Sequence, residues 1–249
     1  MIKSRSMLGA VAALGLAAFA LPHQAQTADT ADAWKALAKL PDWSGLWEIT
    51  RGGAFLSSEP ALTADYAAHA EAYEAAEARG EIQDTPAANC VPPGMPVIMW
   101  EPYPIEFLFT PGKVTIMIEA YSQWRQIFTD GRPLPKDPDP WFNGHSIGHW
   151  EGDTLVVETN GVSTDTPLGR NYGARHSDKL RIVERMRLTE PDLLQIETTI
   201  TDPDALREPW TTTRVYARHS DWNLTEYICQ QNNRNYTTAS GKAGIDLKQ

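Results

Sequence analysis

Along KLRIVERMRL, residues 179–188, apolar and charged positions alternate. Leu180, Ile182, Met186 and Leu188 share one face with Glu184, while Lys179, Arg181, Arg185 and Arg187 take the other. A period of two is that of a half-buried strand. The same period recurs at 113–119, where Val114, Ile116 and Ile118 alternate with Thr115, Met117 and Glu119. It predicts further strands at 105–110, 123–129, 146–150, 154–159, 193–201, 210–218 and 224–230, and PDWSGLWEIT reads as a turn entering another. The turns TPG, DGR and EGD punctuate these runs at short intervals. Strands so spaced, with almost no helix between them, favour an antiparallel barrel or closed sandwich over βαβ units.

One segment has helical character. Thr63 is a suitable N-cap, residues 64–79 are dominated by Ala and Glu, and Gly80 supplies a stop. Tyr66, Ala70, Tyr73 and Glu77 form one stripe, expected to dock on the body. Residues 29–40 form a short alanine-rich lead-in. Prolines at 92, 93, 96, 102 and 104 exclude helix and central strand from residues 89–104. That stretch is expected to be an ordered loop, either covering a site or packing over one end of a sheet. PLPKDPDP, at 133–140, is a second rigid loop.

The amino terminus changes the picture. Lys3 and Arg5 precede an apolar run from Met7 to Leu21, with small residues at Ala25 and Ala28. This is the pattern of an export signal, shorter than the roughly 20 residues of a membrane span. The expected organisation is a signal peptide over 1–28 and a single β-barrel-like domain over 29–249, with its helix at about 63–79. Losing Lys3 and Arg5 takes the formal charge from −10 to −12. An acidic exported chain is a poor partner for nucleic acid or anionic lipid. Nine tryptophans suit either a large core or a site for a flat apolar ligand. Cys90 and Cys229 are the only cysteines. In an oxidising compartment they are candidates for a disulfide, and no Cys-x-x-Cys or Cys/His cluster suggests zinc.

His145 and His149 sit four apart in NGHSIGHWEGD. On a helix such a pair chelates a metal, but the glycines at 144, 148 and 152 argue for a hairpin. Residues four apart on a strand stand about 13 Å from each other, too far to share one ion. His145, after a glycine at a strand mouth, faces solvent or an enclosed interior where imidazole serves as a general base. The stronger signal is carboxylate where alternation expects hydrocarbon: Glu184, and Glu226 between Leu224 and Ile228. A buried carboxylate must be paired or protonated, with Arg125 or Arg214 as candidate partners. Alternation sets Arg125 with Ile127, opposite Trp124, Gln126 and Phe128. His176 is placed either to reach the opening near Glu184 or to cap a loop. GHSIG, at 144–148, matches G-x-S-x-G in letters but lacks the strand-turn-helix context that a serine nucleophile needs; no GxGxxG, Walker or calcium-loop pattern occurs, and no cofactor is expected.

NCVPPGMP, PYPIEFLFTPGKV, TDGRPLP, GHSIGHWEGDTLVVETNG, HSDKLRIVERMRL and DPDALREPWT together resemble a large group of exported bacterial proteins of mostly unassigned function. DWSGLWEIT is similar to the Gly-x-Trp strand that opens lipocalin-like (calycin) barrels. The first resemblance implies that Cys90 and Cys229 recur as a pair. It also implies that Tyr103, Glu119, Arg125, His145, His176 and Glu184 belong to a shared pattern.

Two functions fit these features. One is a cofactor-independent periplasmic or secreted lyase or isomerase acting on a small aromatic or apolar molecule. In it His145 or Glu119 removes a proton, Arg125 holds developing negative charge, and Tyr103 or a protonated Glu184 returns a proton. The other is a lipocalin-like periplasmic carrier of an apolar ligand. The enzyme requires Glu119, Arg125, His145, His176 and Glu184 to converge on one cavity; the carrier does not.

Overall fold

The computed structural model describes residues 30–50, 59–81, 86–169 and 171–230, with 236, 237, 239, 241, 243 and 244 beyond them. The expected signal peptide over 1–28 lies outside the described residues. The chain is mainly β. Nine strands close into a barrel in chain order: β1 (Leu46–Ile49), β2 (Ile105–Thr110), β3 (Lys113–Ile118), β4 (Gln123–Phe128), β5 (His145–Glu151), β6 (Thr154–Asn160), β7 (Arg181–Glu190), β8 (Leu193–Thr201) and β9 (Trp210–His219). Two helices accompany it, α1 (Thr30–Leu37) and α2 (Ala64–Ala78). In β3 and β7 the alternation read from the sequence is the alternation seen. Val114, Ile116 and Ile118 point inward, as do Leu180, Ile182, Glu184 and Met186.

Consecutive strands pair antiparallel except at one seam. β1 closes on β9 antiparallel, whereas β4 and β5 run parallel, pairing only at Ile127↔Ser146 and Phe128↔Ile147. Parallel neighbours need a long crossover, and residues 129–144 supply it. This crossover is tied down on both sides. Trp141 N–H donates to the Gly161 carbonyl, Ser163 N–H to that of Trp141, and Met95 N–H to that of Phe142. Glycine is required where it presses closest. A Cβ on Gly144, at φ +62°, would lie 2.7 Å from the Asn160 carbonyl oxygen.

Side chains fill the barrel. At the end where β1 begins, Trp43 packs edge-on against Phe107 and Trp150, with ring centroids 5.0 and 5.4 Å away. The Arg218 guanidinium lies over the buried Trp47 ring at 4.6 Å. The other end is plugged by the proline-punctuated segment, where Met95, Val97, Ile98, Met99 and Trp100 are all buried. A short 3-10 turn, Val97–Trp100, forms inside the segment expected to be helix-free. It begins just after Pro96, where a missing N–H costs a helical turn nothing. The Tyr216 hydroxyl donates to the Met99 carbonyl, anchoring the plug to β9. The stretch is thus a barrel cap.

α2 docks through Ala70 and Tyr73. Gly173 packs so tightly that a Cβ there would lie 2.4 Å from Tyr73 Cβ. Thr63 occupies the N-cap position, but its hydroxyl donates to the Asp204 carbonyl, joining α2 to the β8–β9 link instead of capping the helix. Residues 224–230 are not the expected strand. They form an extended strap outside the barrel, and Ile228 is exposed. The strap is fastened by a disulfide between Cys229 and Cys90. It adds no strand because β1 and β9 already pair, leaving no open edge.

Asp202 clamps the β8–β9 link. Its carboxylate accepts from Ser177 N–H and hydroxyl, and from the N–H groups of Asp204 and Ala205. Burial raises its pKa, but these hydrogen bonds outweigh burial and hold it below its ordinary value. A carboxylate so held contributes stability above the unfolded-state pKa, and the contribution is lost as pH falls through the folded one. Asp202→Ala is therefore expected to cost about 3 kcal/mol at neutral pH. In urea unfolding the gap from the unmodified protein should narrow as pH falls below about 4; a gap of constant size there would contradict this assignment.

Candidate functional site

β4 and β7 bring Arg125 and Glu184 together inside the barrel, where their side chains are each 1% exposed. Nη1 of Arg125 donates to Glu184 Oε1 at 3.0 Å, and Nη2 donates to Oε2. Nη2 also reaches Thr159 Oγ1 at 2.9 Å, and Nε reaches Ser146 Oγ at 3.2 Å. Ser146 and Thr159 share a further hydrogen bond. Arg125 therefore spans the parallel seam from within, tying β4 to β5, β6 and β7. The pair is the structural ion pair that a carboxylate on an apolar face requires. Burial, reinforced by the charge of Glu184, pushes the neighbouring Tyr216 phenol up.

The other four expected site residues lie elsewhere. Glu119 and Tyr103 border a shallow groove with Pro102, Pro104, Trp222, Asn223 and Thr225. There Glu119 Oε2 accepts from Thr225 N–H at 2.8 Å, and Tyr103 packs edge-on against Tyr227 at 5.3 Å. Burial, with Tyr227 beside it, pushes the Tyr103 phenol up. Both side chains hold the carboxy-terminal strap. Glu226, on that strap, is exposed instead of sharing an inward face.

His176 is buried in the loop before β7. Its Nδ1 donates to the Ser177 carbonyl, leaving Nε2 as an acceptor 2.9 Å from the Thr166 hydroxyl. Desolvation dominates over these contacts and lowers its pKa. His145 and His149 share the outer face of β5. His149 joins a surface network with Glu151 and Arg185. His145 stacks on Trp141, with centroids 4.1 Å apart, and bonds through Nε2 to the Asp139 carbonyl at 2.8 Å.

Glu119, Arg125, His145, His176 and Glu184 thus do not converge on one cavity, as the enzyme reading required. Arg125 and Glu184 meet but consume each other's charge. Tyr103 and Glu119 meet under the strap. His145 and His176 each stand apart, because the barrel interior is already occupied by hydrocarbon and the ion pair.

His145 instead lines a cleft on the barrel's outer side. Its volume is about 630 Å³, and it lies between β4, the start of β5 and the crossover. Trp124, Gln126 and Phe128 face it from β4, and Trp141, Phe142 and Asn143 from the crossover. Trp124 and Trp141 are 59% and 57% exposed and border the same cleft; apolar surface gathered in one place, unlike a lone exposed ring, marks a candidate binding surface. Below the two paired residues the strands part, and the Asn143 amide fills the gap by donating to the Trp124 carbonyl. Arg132 lies over the Phe128 ring at 3.8 Å, held by a bidentate bond to Asp130.

Trp124 was visible in the sequence as an aromatic on the face opposite Arg125. Trp141, Arg132 and Asn143 were not singled out; their signal was a tryptophan directly after the proline-rich stretch 133–140. Among the described residues, no three His, Cys, Asp or Glu side chains gather closely enough to hold a metal ion. No protein-family model matches the chain, and no curated protein matches it.

Two predictions concern the buried groups. Glu184→Ala leaves Arg125 buried and unpaired and should cost about 3–5 kcal/mol. The double replacement Arg125→Met with Glu184→Leu should recover most of that loss in denaturant unfolding. For His176, the unfolded state takes up a proton as pH falls through 6.5 while the folded state resists. Stability should therefore decline below about pH 6.5. His176→Gln, which cannot titrate, should flatten the profile between about pH 6.5 and pH 5; an unaltered slope would show that other groups set it.

Proposed function

We propose that this chain is an exported, periplasmic or secreted, binding protein that takes a flat, largely apolar or aromatic small molecule into the outer cleft at the β4–β5 seam. The observation that carries this is the pair of exposed indoles, Trp124 and Trp141, bordering one cleft together with Phe128 and Phe142. Its 630 Å³ falls within the range of small-molecule sites. The crossover wall is pinned by backbone hydrogen bonds, so little ordering is needed on binding. The location outside the cytoplasm is supported by the Cys90–Cys229 disulfide, which persists in oxidising compartments. Among the described residues no helix is long and apolar enough to cross a membrane.

One observation favours a second reading, cofactor-independent lyase or isomerase chemistry. His145 borders the cleft and makes no hydrogen bond through Nδ1 among the described residues. A single imidazole with a free nitrogen is a general base available to a bound substrate. The remaining acid/base groups are committed elsewhere, so binding without turnover is the better-supported function.

Incubating the purified protein with diaryl dimers, phenolics and terpenoids, without added cofactor, tests both. Saturable tryptophan quenching by an aromatic compound is expected. Trp124→Ala and Trp141→Ala should each weaken binding on the order of tenfold. Binding to no compound, or binding indifferent to both substitutions, would refute the cleft assignment. Product formation abolished by His145→Ala would establish the catalytic alternative.

A further inference from the structure

We infer that the ligand of the seam cleft is an uncharged phenol, whose hydroxyl donates its hydrogen to His145 Nδ1. This inference rests on the cleft being the binding site.

Charge is the first constraint. Two arginines are among the residues that line the cleft, Arg125 and Arg132. Arg125 is sealed beneath it by Glu184, Thr159 and Ser146. Arg132 gives Nε and Nη2 to the two oxygens of Asp130, at 2.9 and 2.6 Å, and lies flat on Phe128. Each cation is thus matched by a carboxylate. A carboxylate ligand would have to displace one of these partners, and a cationic ligand meets no spare anion among the cleft-lining residues.

The second constraint is direction. His145 is held from two sides, by the Trp141 ring and by the Asp139 carbonyl. A carbonyl only accepts, so in the neutral ring Nε2 carries the proton and Nδ1 carries a lone pair. The Cδ2 edge, beside Nε2, is packed against Gly161. A Cβ built on Gly161 would sit 3.0 Å from His145 Cδ2 and 2.6 Å from Pro138 Cβ. Nδ1 is on the opposite edge of the ring, with no hydrogen bond among the described residues. It is therefore a fixed acceptor awaiting a donor. A second unfilled acceptor, Asn143 Oδ1, lies beneath the lining nearby.

An aromatic body suits the indole walls, and a hydroxyl on it suits the fixed acceptor. A phenol supplies both while remaining neutral. An aromatic ether offers no donor, and an aromatic acid is charged.

Three probes of one ring system separate these possibilities: 2-naphthol, 2-methoxynaphthalene and 2-naphthoate, titrated at neutral pH by calorimetry. The naphthol should bind on the order of tenfold tighter than the ether, and tighter than the naphthoate. His145→Phe keeps a ring against Trp141 but removes the acceptor. It should reduce naphthol to the affinity of the ether and leave the ether unchanged. Should that variant not fold, the comparison of naphthol with ether in the unmodified protein decides alone. Equal binding of naphthol and ether would overturn the hydroxyl contact while leaving the cleft as the site. Tightest binding of the naphthoate would overturn the charge argument. Failure of all three to bind would instead remove the proposed function, and this inference with it.

Discussion

Nine strands cannot alternate in direction all the way round a closed barrel, because an odd number forces one neighbouring pair to run the same way. In this chain the forced parallel pair is β4–β5. Its consequences reach every other part of the molecule. A parallel pair cannot be joined by a tight turn, so the chain returns along the barrel's outside through residues 129–144. The ladder at the seam is only two pairs long, and Asn143 and Arg125 bond across it from outside and inside. The cleft is what remains between the two strands and the returning crossover.

Arg125 is the interior counterpart of that constraint. A buried ion pair is no better for stability than hydrocarbon of equal volume, and is often worse. The value of Arg125–Glu184 lies in direction: a guanidinium whose four hydrogen bonds end on Ser146, Thr159 and Glu184 fits a single register of β4 against β5. Apolar side chains would fill the same space without distinguishing a slipped seam from a true one. The same pair occupies space that a lumen ligand would need. Together with Trp43 at one end and the Met95–Trp100 cap at the other, it shifts ligand capacity to the outer wall.

The covering segments obey a similar economy of polar groups. Glu119, Ser122 and Tyr103 secure a strap that has no sheet edge to join. Asp202 gathers the N–H groups of Asp204 and Ala205 in the β8–β9 link and that of Ser177 in the loop before β7. His176 supports the loop over the cap by accepting from the Thr166 hydroxyl, which lies within reach of the Met95 carbonyl. Each is a buried or half-buried polar residue of the kind that resembles chemistry in a sequence and serves architecture in the fold.

Alternation along each strand was local information, legible without a partner. It placed Glu184 among Leu180, Ile182 and Met186, put Arg125 and Trp124 on opposite faces of one strand, and separated His145 from His149 by more than a metal can bridge. Proline spacing and the two cysteines likewise announced an ordered loop and a candidate disulfide. Legibility ended where a side chain's role depends on what lies across the chain from it. A period of two says that Glu184 faces inward, and burial then demands a partner, but Arg125 is 59 residues away. Residues 224–230 carry the alternation of a strand and form none, because β1 and β9 had already closed the edge. The cleft was least visible of all. It arises from strand count, a parallel seam and a crossover, and no short window of sequence encodes how many strands a barrel will close with.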